Sequence, residues 1–253
     1  MTIIAFNHRW VIRWPWLLVN LLVVSLLVML SVWQWQRALH KTEILERLEH
    51  WQSQGALDVA ALTAIPPEQV DGVSLRFPVR WLSPTVWLLD NRVYQGRVGY
   101  DVVVPVVAEG LQQPMVVNLG WVPAPAMRTQ MPAINIPADF ELNGVLRTRN
   151  KSLLLGQNIE QTSEWPQRIQ QLALDQLFAS LPAQSSRDYS MFYPGVVFQQ
   201  ESSPFVIHYR PVVMPPEKHR AYSLQWALLA LAVIVIVLVA SARKCEKNSD
   251  QDN

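Results

Sequence analysis

WPWLLVNLLVVSLLVMLSVW, residues Trp14–Trp33, and SLQWALLALAVIVIVLVASA, residues Ser223–Ala242, bracket residues 34–222, whose composition is that of an ordinary globular chain. A bilayer's hydrocarbon core is crossed by roughly 20 helical residues at about 1.5 Å rise each, and neither segment contains a charged side chain. In the second, every residue from Trp226 to Ala240 is apolar, and the polar interruptions of the first are Asn20, Ser25 and Ser31. A buried core helix would be shorter and carry a polar face. A cleaved signal peptide would have a shorter apolar stretch followed by small residues, where this chain has Trp33-Gln34-Trp35-Gln36-Arg37. Each segment therefore reads as a membrane-spanning helix. Trp10, Trp14 and Trp16 at one end of the first, Trp33 and Trp35 at the other, and Tyr222 with Trp226 at the start of the second sit where amphipathic rings favour the headgroup level.

Two crossings leave both termini on one side. Arg9 and Arg13 before the first span, and Arg243, Lys244 and Lys247 after the second, make that side cytoplasmic by the positive-inside rule. Arg37, Lys41, Lys218 and Arg220 flank the spans opposite, but a long loop translocates largely regardless of its charge. The short segment before the first span is expected to hold no mitochondrial presequence. The expected layout is a cytoplasmic N-terminus at 1–13, a transmembrane helix at 14–33, a periplasmic β-rich domain at 34–222, a second transmembrane helix at 223–242 and a cytoplasmic tail at 243–253, in a bacterial inner membrane.

Lys plus Arg number 21 against 20 Asp plus Glu, so nothing in the charge points to a nucleic-acid partner. The single cysteine, Cys245, falls in the expected tail. That excludes a disulfide within the outer domain, and with it Cys-x-x-Cys redox chemistry and covalent haem attachment there.

Reading inward, Arg37, Lys41, Ile44, Leu45 and Leu48 recur at helical spacing, so the first span continues as a helix until Gly55 and Pro66-Pro67 close the region. A β-rich stretch is predicted from about Phe77 to Thr148. Its clearest piece is Thr85 to Val104, where Tyr94-Gln95-Gly96-Arg97 reads as a hairpin turn. Met115 to Val122 and Phe140 to Thr148 read as further strands, separated by the proline-rich Pro123 to Pro137. Ile169, Leu172, Ala173, Gln176, Leu177 and Leu181 follow a helical period and predict an amphipathic helix over Ser163–Leu181. Strands return near Gly195–Phe198 and Phe205–Val213. The order predicts an α+β membrane protein: two transmembrane helices flanking one β-rich extracytoplasmic domain, antiparallel and barrel- or sandwich-like, with one or two helices.

No nucleophile elbow, phosphate-cradling glycine loop or His-Glu-x-x-His helix appears, and no pair of carboxylates is placed for acid and base roles, so an enzyme is not expected. The histidines are His8, His40, His50, His208 and His219. If the second helix extends outward through His219, that imidazole, Tyr222 and Trp226 share one face at the membrane boundary. An imidazole there could ligate a haem iron, with the rings as contacts; equally, it could simply anchor the helix. His40 could supply a second axial ligand or be a solvated surface histidine. Met127 and Met131, four apart, could suit Cu(I) or be an unremarkable loop. Arg147, Arg149 and Lys151 alternate along a strand end, where they could meet anionic groups or form a solvated edge.

Four motifs in order, Trp33-Gln34-x-x-Arg37-x-x-x-Lys41, Asn91-Arg92-Val93-Tyr94 with Gly96, Gly99-Tyr100 and Pro105, Val117-Asn118-Leu119-Gly120-Trp121-Val122-Pro123, and His219-x-x-Tyr222-x-x-Gln225-Trp226, resemble those of the Surfeit locus protein 1 family over nearly the whole chain. The resemblance implies an assembly factor for haem-copper cytochrome c oxidase that helps haem a enter the catalytic subunit. It implies His219 as the iron ligand, the oxidase catalytic subunit and haem a synthase as partners, and membrane lipid around the spans. A scaffold that holds those partners without touching haem is the alternative. Leu119 departs from the family's usual arginine before Gly-Trp, and Ser31 from a common glycine before the first motif, the latter bearing on helix packing alone. A membrane sensor ranks last, because the tail after Ala242 is too short for an output domain.

Overall fold

The computed structural model describes residues 2–5, 8–11, 14–127, 129–148, 158–160, 164–210 and 214–244. In chain order its elements are β1 (Thr2–Ala5), β2 (His8–Val11), α1 (Trp14–Ser53), α2 (Val59–Thr63), β3 (Ser74–Trp81), β4 (Trp87–Tyr94), β5 (Arg97–Val107), β6 (Met115–Pro123), β7 (Asp139–Arg147), β8 (Gln167–Ile169), α3 (Leu174–Ala179), α4 (Ala183–Ser186), β9 (Val196–Gln199), α5 (Pro216–Ser241) and β10 (Ala242–Lys244). They form two compact units, Met1–Leu45 with Val212–Asn253, and Glu46–Pro211.

The first unit is a helix pair. Both α1 and α5 are long and apolar enough to cross a membrane, and their apolar side chains face outward: Leu22 and Val239 are 69% and 70% exposed. Such exposure is unfavourable in water and ordinary in lipid. Pro216 opens α5, where its missing N–H costs nothing. Past the other end of α1, Gly55 adopts a φ of +81° that a side chain would resist. β1 and β2 pair as an antiparallel hairpin and β10 pairs with β2, so the start of α1 and the end of α5 lie together, as two antiparallel crossings require.

The second unit is a barrel. Strands run in the order β3-β7-β9-β6-β5, and β3 pairs back onto β5 through Arg80↔Val107 and Trp81↔Val106. Alternate residues fill the interior: Leu75, Phe77 and Val79 from β3, Val102, Val104 and Val106 from β5, Met115, Val117 and Leu119 from β6, Leu142 and Leu146 from β7, and Val197 from β9. This is the period-two pattern of a strand with one face inward. β4 extends the sheet beside β5, and β8 pairs with β4. A second core of Trp87, Leu89, Val103, Val116, Ile169, Leu177 and Phe192 then covers the outer face, so β5 and β6 are buried on both sides. That explains their near-continuous valine runs. The last turns of α1 belong to this unit, with Leu48 buried and Trp51 packed on the barrel core.

Three expectations change. The sheet is mostly antiparallel, but β4–β8 and β6–β9 are parallel. The helix expected over Ser163–Leu181 is instead strand β8 followed by the six-residue α3, with Ser163 outside the described residues. Ile169 and Leu177 are fully buried in one cluster, and a strand plus a short helix delivers them there as well as one long helix would. The strand expected over Phe205–Val213 reduces to a single bridge, Trp121↔Val206, and residues 211–213 lie outside the described residues.

Candidate functional site

In the helix pair, polar side chains meet along one seam. Ser31 Oγ donates to the Ser223 carbonyl and Ser223 Oγ donates to the Ser31 carbonyl, both at 2.9 Å, so each helix satisfies the other's hydroxyl. On the same stripe of α1, Gln34 Oε1 meets His219 Nδ1 at 2.7 Å, and Thr42 Oγ1 accepts from Arg220 Nη2 at 3.3 Å. Ala38 between them is buried, which lets the backbones approach. With the amide oxygen as acceptor, Nδ1 carries the imidazole proton and Nε2 is the nitrogen with a free lone pair. Among the described residues, Nε2 has no hydrogen-bond partner.

α5 does extend through His219, as the shared face requires. Pro216, His219, Ser223 and Ala230 are its buried residues. At 3.6 residues per turn, Trp226 and Tyr222 lie roughly 20° and 60° to one side of His219, just outside the seam. Trp226 is half-buried and Tyr222 is 45% exposed. The imidazole thus sits at the seam edge nearest two aromatic rings. His40 is exposed and lies about 180° around α1 from Ser31, so the structure does not bring it to His219.

In the barrel, the second and third motifs converge on a carboxylate that sequence reasoning missed. Asp101, on β5, is buried. Its Oδ1 meets His208 Nε2 at 2.6 Å, its Oδ2 accepts from Asn118 Nδ2 at 2.9 Å, and Arg92 Nε stands 3.7 Å from that oxygen. Burying a charge is costly unless it is paired and hydrogen-bonded, and these three partners meet that demand. Asp101 is flanked by two register shifts, one against β4 between Leu89 and Arg92, the other against β6 where Leu119 is the extra residue between Asn118 and Gly120. Bulges re-aim side chains and are over-represented beside functional sites. Gly120 has a φ of +122°, and a Cβ there would meet the Val206 carbonyl oxygen at 2.7 Å. Glycine therefore lets the segment 203–208 lie across β6, held by paired Trp121 and Val206 amides and by Ser203 Oγ on the Leu119 carbonyl. Leu119 itself is buried in the barrel core, an apolar position within the motif turn.

The remaining candidates resolve differently. Arg147 is not part of a free basic face: it donates to Asp71 Oδ1 at 3.1 Å and to Tyr209 Oη at 2.7 Å, and Arg149 and Lys151 lie outside the described residues. Burial pushes the Asp71 carboxyl up, but the Thr148 amide and the Arg147 guanidinium outweigh it and hold it below the ordinary aspartate value. Burial likewise raises the Tyr209 phenol. Met131 packs on the barrel core while Met127 is exposed. Among the described residues, no three His, Cys, Asp or Glu side chains group as metal ligands.

A search of curated proteins finds none that matches. The family model for the SURF1 family matches residues 21–231, a range that takes in the whole barrel and reaches into both helices. The chain belongs to the SURF1 family, the cytochrome c oxidase assembly factor family.

Proposed function

We propose that this assembly factor assists delivery of haem a to the catalytic subunit of haem-copper cytochrome c oxidase, with His219 as the transient iron ligand and Tyr222 and Trp226 as ring contacts. The observation that carries the reading is the His219–Gln34 bond. An imidazole in an apolar helix pair, with Nδ1 engaged and Nε2 unpartnered, is prepared for axial ligation, because a ligating histidine commonly has its other nitrogen fixed by an acceptor. The residues fit the group: one nitrogen donor beside two amphipathic rings, on helices whose outer faces suit lipid. Haem would bring a redox-active, poorly soluble iron macrocycle that must not be released into water. Gln34 holds the proton on Nδ1, the seam keeps water from the imidazole, and Ser31 with Ser223 holds the two helices in register.

In this reading both termini are cytoplasmic and the barrel is periplasmic, in a bacterial inner membrane. The pairing of β2 with β10 and the Arg9, Arg13, Arg243 and Lys244 positions support that orientation. The barrel would be the docking surface for the oxidase catalytic subunit and haem a synthase, and lipid would cover the helix pair. Protein purified in detergent from haem a-producing cells should carry haem a, and His219→Ala should lose one equivalent per chain. Unchanged occupancy would reject the ligand assignment, and a colourless wild-type protein that still retains its oxidase partners would favour the scaffold.

A further inference from the structure

We propose that the tip of the β4–β5 hairpin is a membrane-contact element, an apolar and cationic edge that rests the barrel unit on the headgroups of an anionic phospholipid bilayer. The proposal does not depend on the haem reading.

Among the described residues of the barrel unit, the large apolar side chains left exposed are Val93, Val98, Met127, Met191, Val206 and Ile207. Four of these six fall in two segments, the hairpin and residues 203–210, and a single cleft is lined by Val93 and Tyr94 from one and Ile207 and Arg210 from the other, so the segments are neighbours. Val93 pairs with Val98 across the hairpin, which puts both on one face of the ribbon. Tyr94 and its partner Arg97 occupy the other face, where Tyr94 packs on Trp121 with ring centroids 5.5 Å apart. The Trp121 indole also donates to the Arg92 carbonyl at 3.2 Å, and Gly99 leaves room for it, because a Cβ there would meet its Nε1 at 2.5 Å. The hairpin is thus fixed from one side, and its valine face is left 60% and 58% exposed.

Charge selects the occupant. Residues 91–99 and 202–210 contain Arg92, Arg97 and Arg210 and no Asp or Glu. Arg97 and Arg210 are exposed, and among the described residues neither is in an ion pair. An exposed apolar pair beside cations, with an amphipathic ring between them, matches the layer where acyl chains meet phosphates. There the valines reach apolar depth, the tyrosine suits the boundary, and arginine stems carry their charged heads to the anions. The chain also tethers this surface. Arg210 precedes Pro216 by six positions, at most about 20 Å of chain, and Pro216 opens α5, a helix long and apolar enough to cross a membrane. A tether so short gives the patch an effective concentration on the order of millimolar, so a contact too weak to anchor a free protein is enough.

The test uses the full chain in lipid nanodiscs, with Cys245→Ser to remove the native thiol and Gln95→Cys to carry an environment-sensitive fluorophore at the hairpin turn. With phosphatidylglycerol mixed into phosphatidylcholine, nitroxide-labelled lipid should quench the fluorophore, and the quenched fraction gives the ratio of docked to undocked hairpin. Arg97→Gln and Arg210→Gln should each lower that ratio about fivefold, the worth of one cation near an anionic surface. Val93→Thr with Val98→Thr keeps the β-branched shape, removes one carbon from each contact and should lower it about tenfold. Pure phosphatidylcholine should weaken docking of the labelled chain without further substitution, a result independent of any variant's folding. The proposal is overturned if the fluorophore is unquenched in anionic discs, or if its quenching is the same in pure phosphatidylcholine and in the substituted chains. It is equally overturned if the fluorophore becomes shielded only when oxidase subunits are added, which would assign the patch to a protein.

Discussion

Replacing Gln34 by leucine tests whether the helix seam sets the chemistry of His219 or merely contains it. Gln34 Oε1 accepts from Nδ1 at 2.7 Å, and His219 is 8% exposed, so water cannot take the acceptor's place freely. Removing the acceptor leaves a buried N–H unsatisfied, at a cost of about 1–3 kcal/mol. The ring can escape that cost by moving its proton to Nε2, the nitrogen that would bind iron in the proposed reading, or by turning out of the seam. Either escape lowers affinity. Loss of a ligand's outer hydrogen-bond partner typically weakens metal binding about 10- to 100-fold, or about 1.4–2.8 kcal/mol at 1.4 kcal/mol per tenfold, in line with the desolvation figure. The assay follows the His219-dependent equivalent in detergent with wild type, Gln34→Leu and Gln34→Glu. Gln34→Glu keeps an acceptor of similar reach and should bind at least as tightly as wild type, since a carboxylate makes the imidazole more basic. A general packing defect would not be rescued that way. If Gln34→Leu binds within twofold of wild type, the bond does not prepare the ligand.

Two further outcomes follow from the geometry. Ser31→Ala and Ser223→Ala should each remove one hydroxyl–carbonyl bond across the seam and cost about 0.6 kcal/mol, and no more than about 1.7, in detergent unfolding; single variants as stable as wild type would refute it. In the barrel, Arg147→Ala leaves Asp71 with Thr148 but without its cation, where each side chain of the ion pair is 12% exposed, and should cost about 3–5 kcal/mol in denaturant unfolding. Because the folded Asp71 carboxyl is held below its ordinary value, its contribution is present above that ordinary value, about 3.9, and is lost as pH falls through the folded one. Asp71→Asn should therefore flatten the acid arm of the stability profile, and an unchanged arm would contradict the assignment.

The parts of the fold that were legible in the sequence are those that depend on local pattern. Twenty mostly apolar residues without a charge announce a spanning helix whatever surrounds them, and Gln95-Gly96 announces a tight hairpin because both residues take positive φ, 48° and 76°, between the paired Tyr94 and Arg97. The segment from Ser163 to Leu181 was not legible, because its apolar residues satisfy a helical period while Gln167–Ile169 is drawn to the free edge of β4. Tertiary pairing there overrides local preference. The sites show the same division. His219, Tyr222 and Trp226 share a face by spacing alone, whereas Gln34 is 185 positions from its partner and Asp101 is 107 from His208. Asp101 stands in a valine-rich strand that gives no local sign of a buried charge. The nearest signal was indirect: the motif residues Arg92, Tyr94, Asn118 and Trp121 have no chemistry in common until the barrel gathers them round one carboxylate.

The placement of polarity within the helix pair argues that it is more than an anchor. In lipid the drive to bury apolar surface is absent, so two apolar helices with no other task need not pair in a defined register. Here Ser31, Gln34, Ala38 and Thr42 follow one stripe of α1, and Ser223, His219 and Arg220 answer them from α5. Asn20, the polar residue nearest the start of α1, instead returns its amide to the Trp16 carbonyl of its own helix and takes no part in the seam. Three successive cross-helix contacts fix both the rotation and the slide of one helix against the other, and the imidazole is the middle rung. Replacing Ser31 by glycine would remove one of the two bonds of its rung and permit closer approach, so serine here trades close packing for a directional bond at the crossing. A seam built of hydrogen bonds holds the register as a door is held by a latch: it can be opened at a cost of a few weak bonds and closed again without repacking a core. In the proposed function, that is the mechanical property a transient ligand would need to grip a cargo and then release it.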